Sequence, residues 1–127
     1  MMMILDTCAL LWLAEGGQKL TAAAKERIAA APVVYVSAIS GFEIGVKIRQ
    51  GKLSLPATTG EWFETVLAHH GLSALPLTVD ICLAAAELPA IHRDPCDRFI
   101  IAAARKHSLP VVTADPVFRE YGIEVFC

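Results

Sequence analysis

What this chain lacks narrows its identity before any motif is read. Its four cysteines, Cys8, Cys82, Cys96 and Cys127, form no C-x-x-C pair, which argues against a zinc site and against a redox motif. They suit a reducing compartment, with Cys8, Cys82 and Cys96 serving as small buried hydrophobes. No apolar run approaches the ~18–20 residues needed to span a bilayer, so no membrane association is expected. The N-terminus reaches Asp6 without a basic stretch; this does not read as a secretion signal, and a cytoplasmic location is expected. No internal repeat, linker or low-complexity segment interrupts residues 1–127, which read as a single domain. Nor is there a basic field. Eleven Lys and Arg against 13 Asp and Glu leave a formal net charge of −2. Nucleic-acid contact would therefore have to come from local clusters such as Lys47, Arg49 and Lys52, or Arg93 and Arg98, and for any one cluster a solvated face is the simpler reading.

Apolar residues, by contrast, are in excess, at 55% of the chain with only 19% charged, where soluble domains usually hold about 45–50% apolar residues. A chain of 127 residues buries a real core without disulfides, but a small domain cannot hide every apolar side chain. Some are expected to face a second subunit or a partner. A homodimer is expected, built in part from helix faces in the half from Ala38 to Glu87.

Periodicity and punctuation lay out alternating elements. Short apolar strands are expected at Met3–Leu5, Val33–Val36, Leu72–Leu75, Val111–Thr113 and Ile123–Phe126. Helices are expected at Cys8–Ala14, Thr21–Ala31, Ala38–Gln50, Glu61–His70, Thr78–Glu87 and Cys96–His107, with a short one at Pro116–Tyr121 and a loop from Lys52 to Thr59. This alternation predicts an α/β fold: a three-layer α/β/α sandwich on a mainly parallel, doubly wound sheet of four to five strands.

Such a sheet gives the acidic residues a meaning. Asp6 follows the first strand and Asp115 the fourth, Glu43 stands in the helix after the second, and Asp94 and Asp97 open the apolar helix Phe99–Ala104. Parallel sheets bind ligands at the carboxyl ends of their strands, so these acids would meet in one cleft. Taken singly, each has a structural explanation. Asp6 could cap the next helix, Asp94-Pro95 and Asp115-Pro116 are ordinary cap-and-proline starts, and Asp97 complements a helix dipole. Ser40-Gly41-Phe42-Glu43 matches a capping box, unless the helix begins just after Ser37 and leaves Glu43 in its interior. As a set, converging carboxylates repel one another, and a hard divalent cation with oxygen ligands, Mg²⁺ or Mn²⁺, relieves that repulsion. Thr7 and Thr113, beside strand-end acids, could hold a water or a phosphate oxygen. Lys47 or Arg98 could position the phosphates of a nucleic acid, RNA in the reading below. His69 and His70 read as helix-terminal residues. His92 could touch a phosphate, but a role for it is not the favoured reading.

The segments ILDT at the start, VSAISGFEIGVKIRQGKL, HRDPCDRFIIAAA and VVTAD resemble the four signatures of the PIN-domain family, and in particular the VapC-type toxin ribonucleases of bacterial toxin–antitoxin pairs. The resemblance runs from Ile4 to Asp115 in matching order, with the D-P-x-D-R block its most specific part. It implies a PIN-like fold and a magnesium-dependent endoribonuclease that leaves 5′-phosphate and 3′-hydroxyl ends. It also implies a dimer, silenced by a cognate VapB-type antitoxin. Carried over by position, the family's catalytic and metal-holding acids are Asp6, Glu43, Asp97 and Asp115, with Asp94 an auxiliary acid. Cys96 stands where relatives often carry an aromatic, and Gly41-Phe42 replaces a small residue followed by tryptophan; both departures touch packing rather than ligands.

Three rival readings fit less well. An aspartyl-nucleophile phosphatase wants a second Asp two residues after the first, whereas Asp6 is followed by Thr7-Cys8. A phospho-acceptor receiver domain wants an Asp at the end of a strand, and none ends Leu72–Leu75. The remaining alternative is a catalytically inactive PIN-like module that binds RNA or protein, which would typically lack one of the acids.

Overall fold

The computed structural model describes residues 2–127, so that Met1 lies outside it. In chain order the elements are β1 (Met3–Leu5), α1 (Thr7–Ala14), α2 (Ala22–Ala30), β2 (Val34–Ser37), α3 (Ala38–Arg49), α4 (Thr59–His70), β3 (Leu72–Leu75), α5 (Val79–Glu87), α6 (Pro95–His107), β4 (Val111–Val112), a 3₁₀ helix (Pro116–Tyr121) and β5 (Val125–Phe126). The strands form one sheet in the order β3-β2-β1-β4-β5, every pair parallel. β1 is therefore the central strand, with Leu5 flanked by Val36 on one side and Val112 on the other.

Alternation along each strand divides the apolar residues between two cores. Met3, Leu5 and Val112 pack with Ala9, Leu10, Ile44, Trp62 and Val66 on one face. Ile4 and Val111 pack with Ile100, Ile101, Ala103 and Phe118 on the other. Both faces being covered explains why the strands read as near-continuous apolar runs. Five consecutive residues of α6, Ile100–Ala104, are buried, because small alanines let its backbone lie close to the neighbouring elements. The expected three-layer α/β/α arrangement is what forms.

Element boundaries shift where a side chain claims a helix-end amide. α4 begins at Thr59, inside the expected loop, because the Thr58 hydroxyl accepts from Glu61 N–H at 3.3 Å. α1 begins at Thr7 because the Asp6 carboxylate accepts from Ala9 N–H at 2.8 Å. β2 lies one residue later than expected, drawn on by its register with β3 out to Ser37–Leu75. The cysteine expectation needs correction. Cys8 is exposed, and Cys82 and Cys96 are only half-buried, because α1 turns Ala9 and Leu10 rather than Cys8 into the core.

α6 ends at Ser108, which adopts the left-handed region at φ 52 and returns its N–H to Ala104 and Arg105 carbonyls. Glycine is the residue suited to that conformation. Ser108→Gly should stabilise the protein by about 0.5–1 kcal/mol, the relief of left-handed strain less the added backbone entropy of glycine. An unchanged or lowered Tm would contradict this.

Candidate active site

The carboxyl ends of β1, β2 and β4 open on one cleft of about 270 Å³, whose walls carry Asp6, Thr7, Glu43, Lys47, Asp94, Asp97 and Asp115. Charge, not size, sets it apart. A hollow of about 640 Å³ beside the α3–α4 loop has no carboxylate in its lining.

Each acid arrives by a local rule. Asp6 leaves the end of the central strand and caps α1. One of its oxygens accepts from Ala9 N–H, and the other accepts a short hydrogen bond from the Thr113 hydroxyl. Thr113 in turn accepts from Asp115 N–H at 3.0 Å, which ties the ends of β1 and β4 together. Asp115 caps the 3₁₀ helix through Val117 N–H at 3.0 Å, and Asp94 caps α6 through Cys96 N–H at 2.9 Å. Capping and cleft formation are thus compatible: one carboxylate oxygen serves the helix while the other meets a side chain beside the cleft, Thr113 for Asp6 and His92 for Asp115.

Glu43 behaves differently. The cap of α3 is Ser37, which accepts from Ile39 N–H, so the Ser40–Glu43 capping box does not form and Glu43 stands inside the helix. Its Oε1 accepts from the Thr7 hydroxyl at 2.7 Å and its Oε2 pairs with Lys47 at 3.1 Å. Thr7 spends its single proton on Glu43. The buried Ser40 hydroxyl, 2.9 Å from Thr7, is therefore the donor to Thr7, giving a relay from Ser40 to Thr7 to Glu43.

Electrostatics follow from this crowding. Burial raises the Asp6 carboxyl, against the hydrogen bonds from Thr113 and Ala9, and the charges of Glu43 and Asp115 add to the rise. Asp97 is pushed up to about 7, first by burial and then by Asp94 and Glu43. Burial lowers the Lys47 ammonium, but its hydrogen bond to Glu43 and that residue's charge outweigh it, so Lys47 stays firmly cationic. The Cys96 thiol is pushed up to about 11 by burial and by Glu43, Asp94 and Asp97, which keeps it protonated.

Two residues depart from the expected roles. Arg98 does not offer its guanidinium to the cleft. It donates to the carbonyls of Ala85, Leu88, Pro89 and His92 at 2.7–3.2 Å, so the expected contact with RNA phosphate gives way to a structural one. The reason is that α5 ends without a basic residue in its last turn, leaving carbonyls that Arg98 satisfies from the next helix. His92, for which the sequence allows contact with a phosphate but favours no role, faces two of the acids. Its Nε2 lies 2.8 Å from Asp115 and 3.1 Å from Asp97. Its place immediately before the Arg93-Asp94 step was the available signal.

A model of the PIN domain matches residues 3–124. The chain belongs to the PIN-domain family. Ribonuclease VapC22 of Mycobacterium tuberculosis is 29% identical over 119 residues, spanning 93% of this chain and 90% of that protein. In fold, the chain resembles the VapBC2 structure from Rickettsia felis bound to a promoter DNA fragment, with a TM-score of 0.72, 14% identity and coverage of 98% and 97%. It also resembles DNA-bound VapBC from Salmonella typhimurium, with a TM-score of 0.68, 18% identity and the same coverage. Among the described residues of this PIN domain, no helix is long and apolar enough to cross a membrane.

Whether the cleft suits a cation is decided by its donors. Asp6, Glu43, Asp97 and Asp115 offer carboxylate oxygens, with threonine hydroxyls beside them, and burial together with Asp94 and Glu43 pushes Asp97 up to about 7. Oxygen donors around unmet negative charge fit a hard divalent ion.

That shift has a measurable consequence. Folded Asp97 titrates near 7 against an ordinary 3.8, so the native state binds this proton more tightly. The resulting stability is complete below about pH 4 and is lost as pH rises through about 7. In chelator, Asp97→Asn should melt above the parent at about pH 8, with the gap closing toward about pH 4 as this contribution returns. Parallel Tm–pH curves for the two proteins would show that Asp97 is not held uncomfortably charged.

Proposed function

We propose that this PIN domain is a metal-dependent endoribonuclease acting as the toxin of a toxin–antitoxin pair. The observation that carries the reading is the meeting of Asp6, Glu43, Asp97 and Asp115, from distant parts of the chain, in one cleft at the strand ends. Family membership and the similarity to a VapC ribonuclease support RNA as the substrate.

In this reading Asp6, Glu43, Asp97 and Asp115 hold the cation, Mg²⁺ or Mn²⁺, with Asp94 auxiliary at the rim. When bound, such an ion supplies Lewis acidity toward a phosphodiester oxygen and an activated water. The chain's own groups prepare the site. Thr113 and Ala9 N–H fix both oxygens of Asp6, and Thr7, backed by Ser40, fixes Glu43. Lys47, partly exposed beside Glu43, is the cation placed to meet a phosphate at the mouth of the cleft.

Asp6→Asn and Glu43→Gln keep shape and one acceptor oxygen but remove ligand charge, at the loss of the hydrogen bond made by the second oxygen. Each should lower RNA cleavage at least about 100-fold, beyond the 10–100-fold typical of groups behind a metal's ligands, while the far-UV spectrum stays that of the folded parent. Cleavage at the parent's rate by either variant in Mg²⁺ and in Mn²⁺ would remove that residue from the site.

The partners follow from the same reading. Among the solved structures that share this fold is a toxin–antitoxin complex from Klebsiella pneumoniae, and a cationic antitoxin side chain would find partners in Asp6 and Asp97. A homodimer through the half from Ala38 to Glu87 is supported by Phe42 on α3 and by Val79 and Leu83 on α5, exposed at 64%, 72% and 56%. Sedimentation should give a dimer, with Phe42→Asp or Leu83→Asp shifting it toward monomer without unfolding it. A parent that sediments only as a monomer at all concentrations would rule out the homodimer.

A further inference from the structure

His92 sits where a metal ligand could sit. Its Nε2 and one oxygen from each of Asp97 and Asp115 all lie within 4.8 Å of one another. The other ring nitrogen decides what it does. Asp94 N–H donates to His92 Nδ1 at 3.1 Å, so Nδ1 holds a lone pair and the neutral ring carries its proton on Nε2. That proton points at Asp115, 2.8 Å away, and Asp97, 3.1 Å away. An imidazole that ligates a metal through one nitrogen donates from the other, to a carboxylate or carbonyl. Here the second nitrogen accepts, which is the reverse polarity.

The ring is also held firmly in place. Arg98 gathers the carbonyls of Ala85, Leu88, Pro89 and His92. Tyr121 Oη accepts from Ile91 N–H at 3.2 Å and His92 N–H at 2.7 Å, and donates to Pro89 O at 2.8 Å. The imidazole stands edge-on to Phe118, with centroids 5.7 Å apart at 90°. The loop from Leu88 to Arg93, without regular structure of its own, is thereby fixed at both ends of its path. A side chain so constrained can set the spacing of two groups that would otherwise repel.

We infer that His92 is a positioning residue of the cleft, not a metal ligand: its Nε2–H bridges Asp97 and Asp115 and sets their separation. The inference deepens the ribonuclease reading, on which its catalytic part rests. Glutamine reaches to a comparable donor N–H, whereas alanine supplies none. His92→Ala should therefore weaken Mn²⁺ binding and lower kcat about 10–100-fold, the cost typical of orienting groups behind a metal's ligands. The KM for RNA should change little, and His92→Gln should restore most of both losses. Equal losses in the two variants would overturn the positioning role.

Two spectroscopic measurements on the parent complete the test. In the metal-free protein, ¹⁵N NMR should find the His92 proton on Nε2 and none on Nδ1; a proton on Nδ1 overturns the bridge. With Mn²⁺ as the probe, pulsed EPR should show no directly coordinated imidazole nitrogen, and a strong nitrogen coupling overturns the exclusion of His92 as a ligand. A parent that binds Mn²⁺ but cuts no RNA would remove the ribonuclease reading alone, because the NMR and EPR results still decide what His92 does.

Discussion

A carboxylate at the end of the central strand is the constraint around which the rest of this molecule is arranged. Asp6 follows β1, the middle strand of five, and is almost fully buried at 6% exposure. A buried carboxylate is costly unless its lone pairs find donors. Both donors come from places that a parallel sheet supplies: the first turn of the helix after β1, and the residue following the adjacent strand β4. Satisfying Asp6 therefore fixes the start of α1 and the exit of β4. Through Thr113, it also fixes where Asp115 begins the 3₁₀ helix.

The same carboxylates serve two ends because each has two oxygens. In Asp115 one oxygen caps a helix and the other meets His92. In Asp6 one oxygen caps α1 and the other takes the Thr113 hydroxyl. Adjacent residues divide labour as well. Asp97 lines the cleft, while Arg98, the next residue on α6, points the other way and completes the end of α5. One helix turn thus adds a carboxyl group to the site and stabilises the loop that carries His92 toward it.

How much of this was legible in the sequence depends on whether position or path decides. Alternating apolar strands and capped helices fix a parallel sheet, and a parallel sheet gathers whatever follows its strands; Asp6, Glu43, Asp97 and Asp115 could be read that way. Where Arg98 and His92 end up depends on the path of the loop between α5 and α6, which no periodicity encodes. Arg98 resembled a cation available to phosphate because four waiting carbonyls leave no mark in a sequence. Glu43 was ambiguous for a simpler reason. Ser37 and Ser40 are both credible caps, and only the register of β2 with β3, reaching Ser37, decides between them.

The cleft is assembled at some cost to the fold. Asp97 is pushed up to about 7 by burial and by Asp94 and Glu43, so the site resists full ionisation. Packed apolar cores on both faces of the sheet hold the carboxylates together despite this. The polar groups behind them, Ser40, Thr7 and Thr113, are buried at 5% exposure or less and donate to the cleft's carboxylates directly or in relay. They cannot neutralise the charge; they can only orient it. Orientation without neutralisation leaves the remaining attraction for something that brings positive charge from outside, whether a divalent ion or a basic side chain of a partner. The two would then compete for the same oxygens, so that a cleft built to gather a cation is, by the same physics, a cleft that a basic side chain could close.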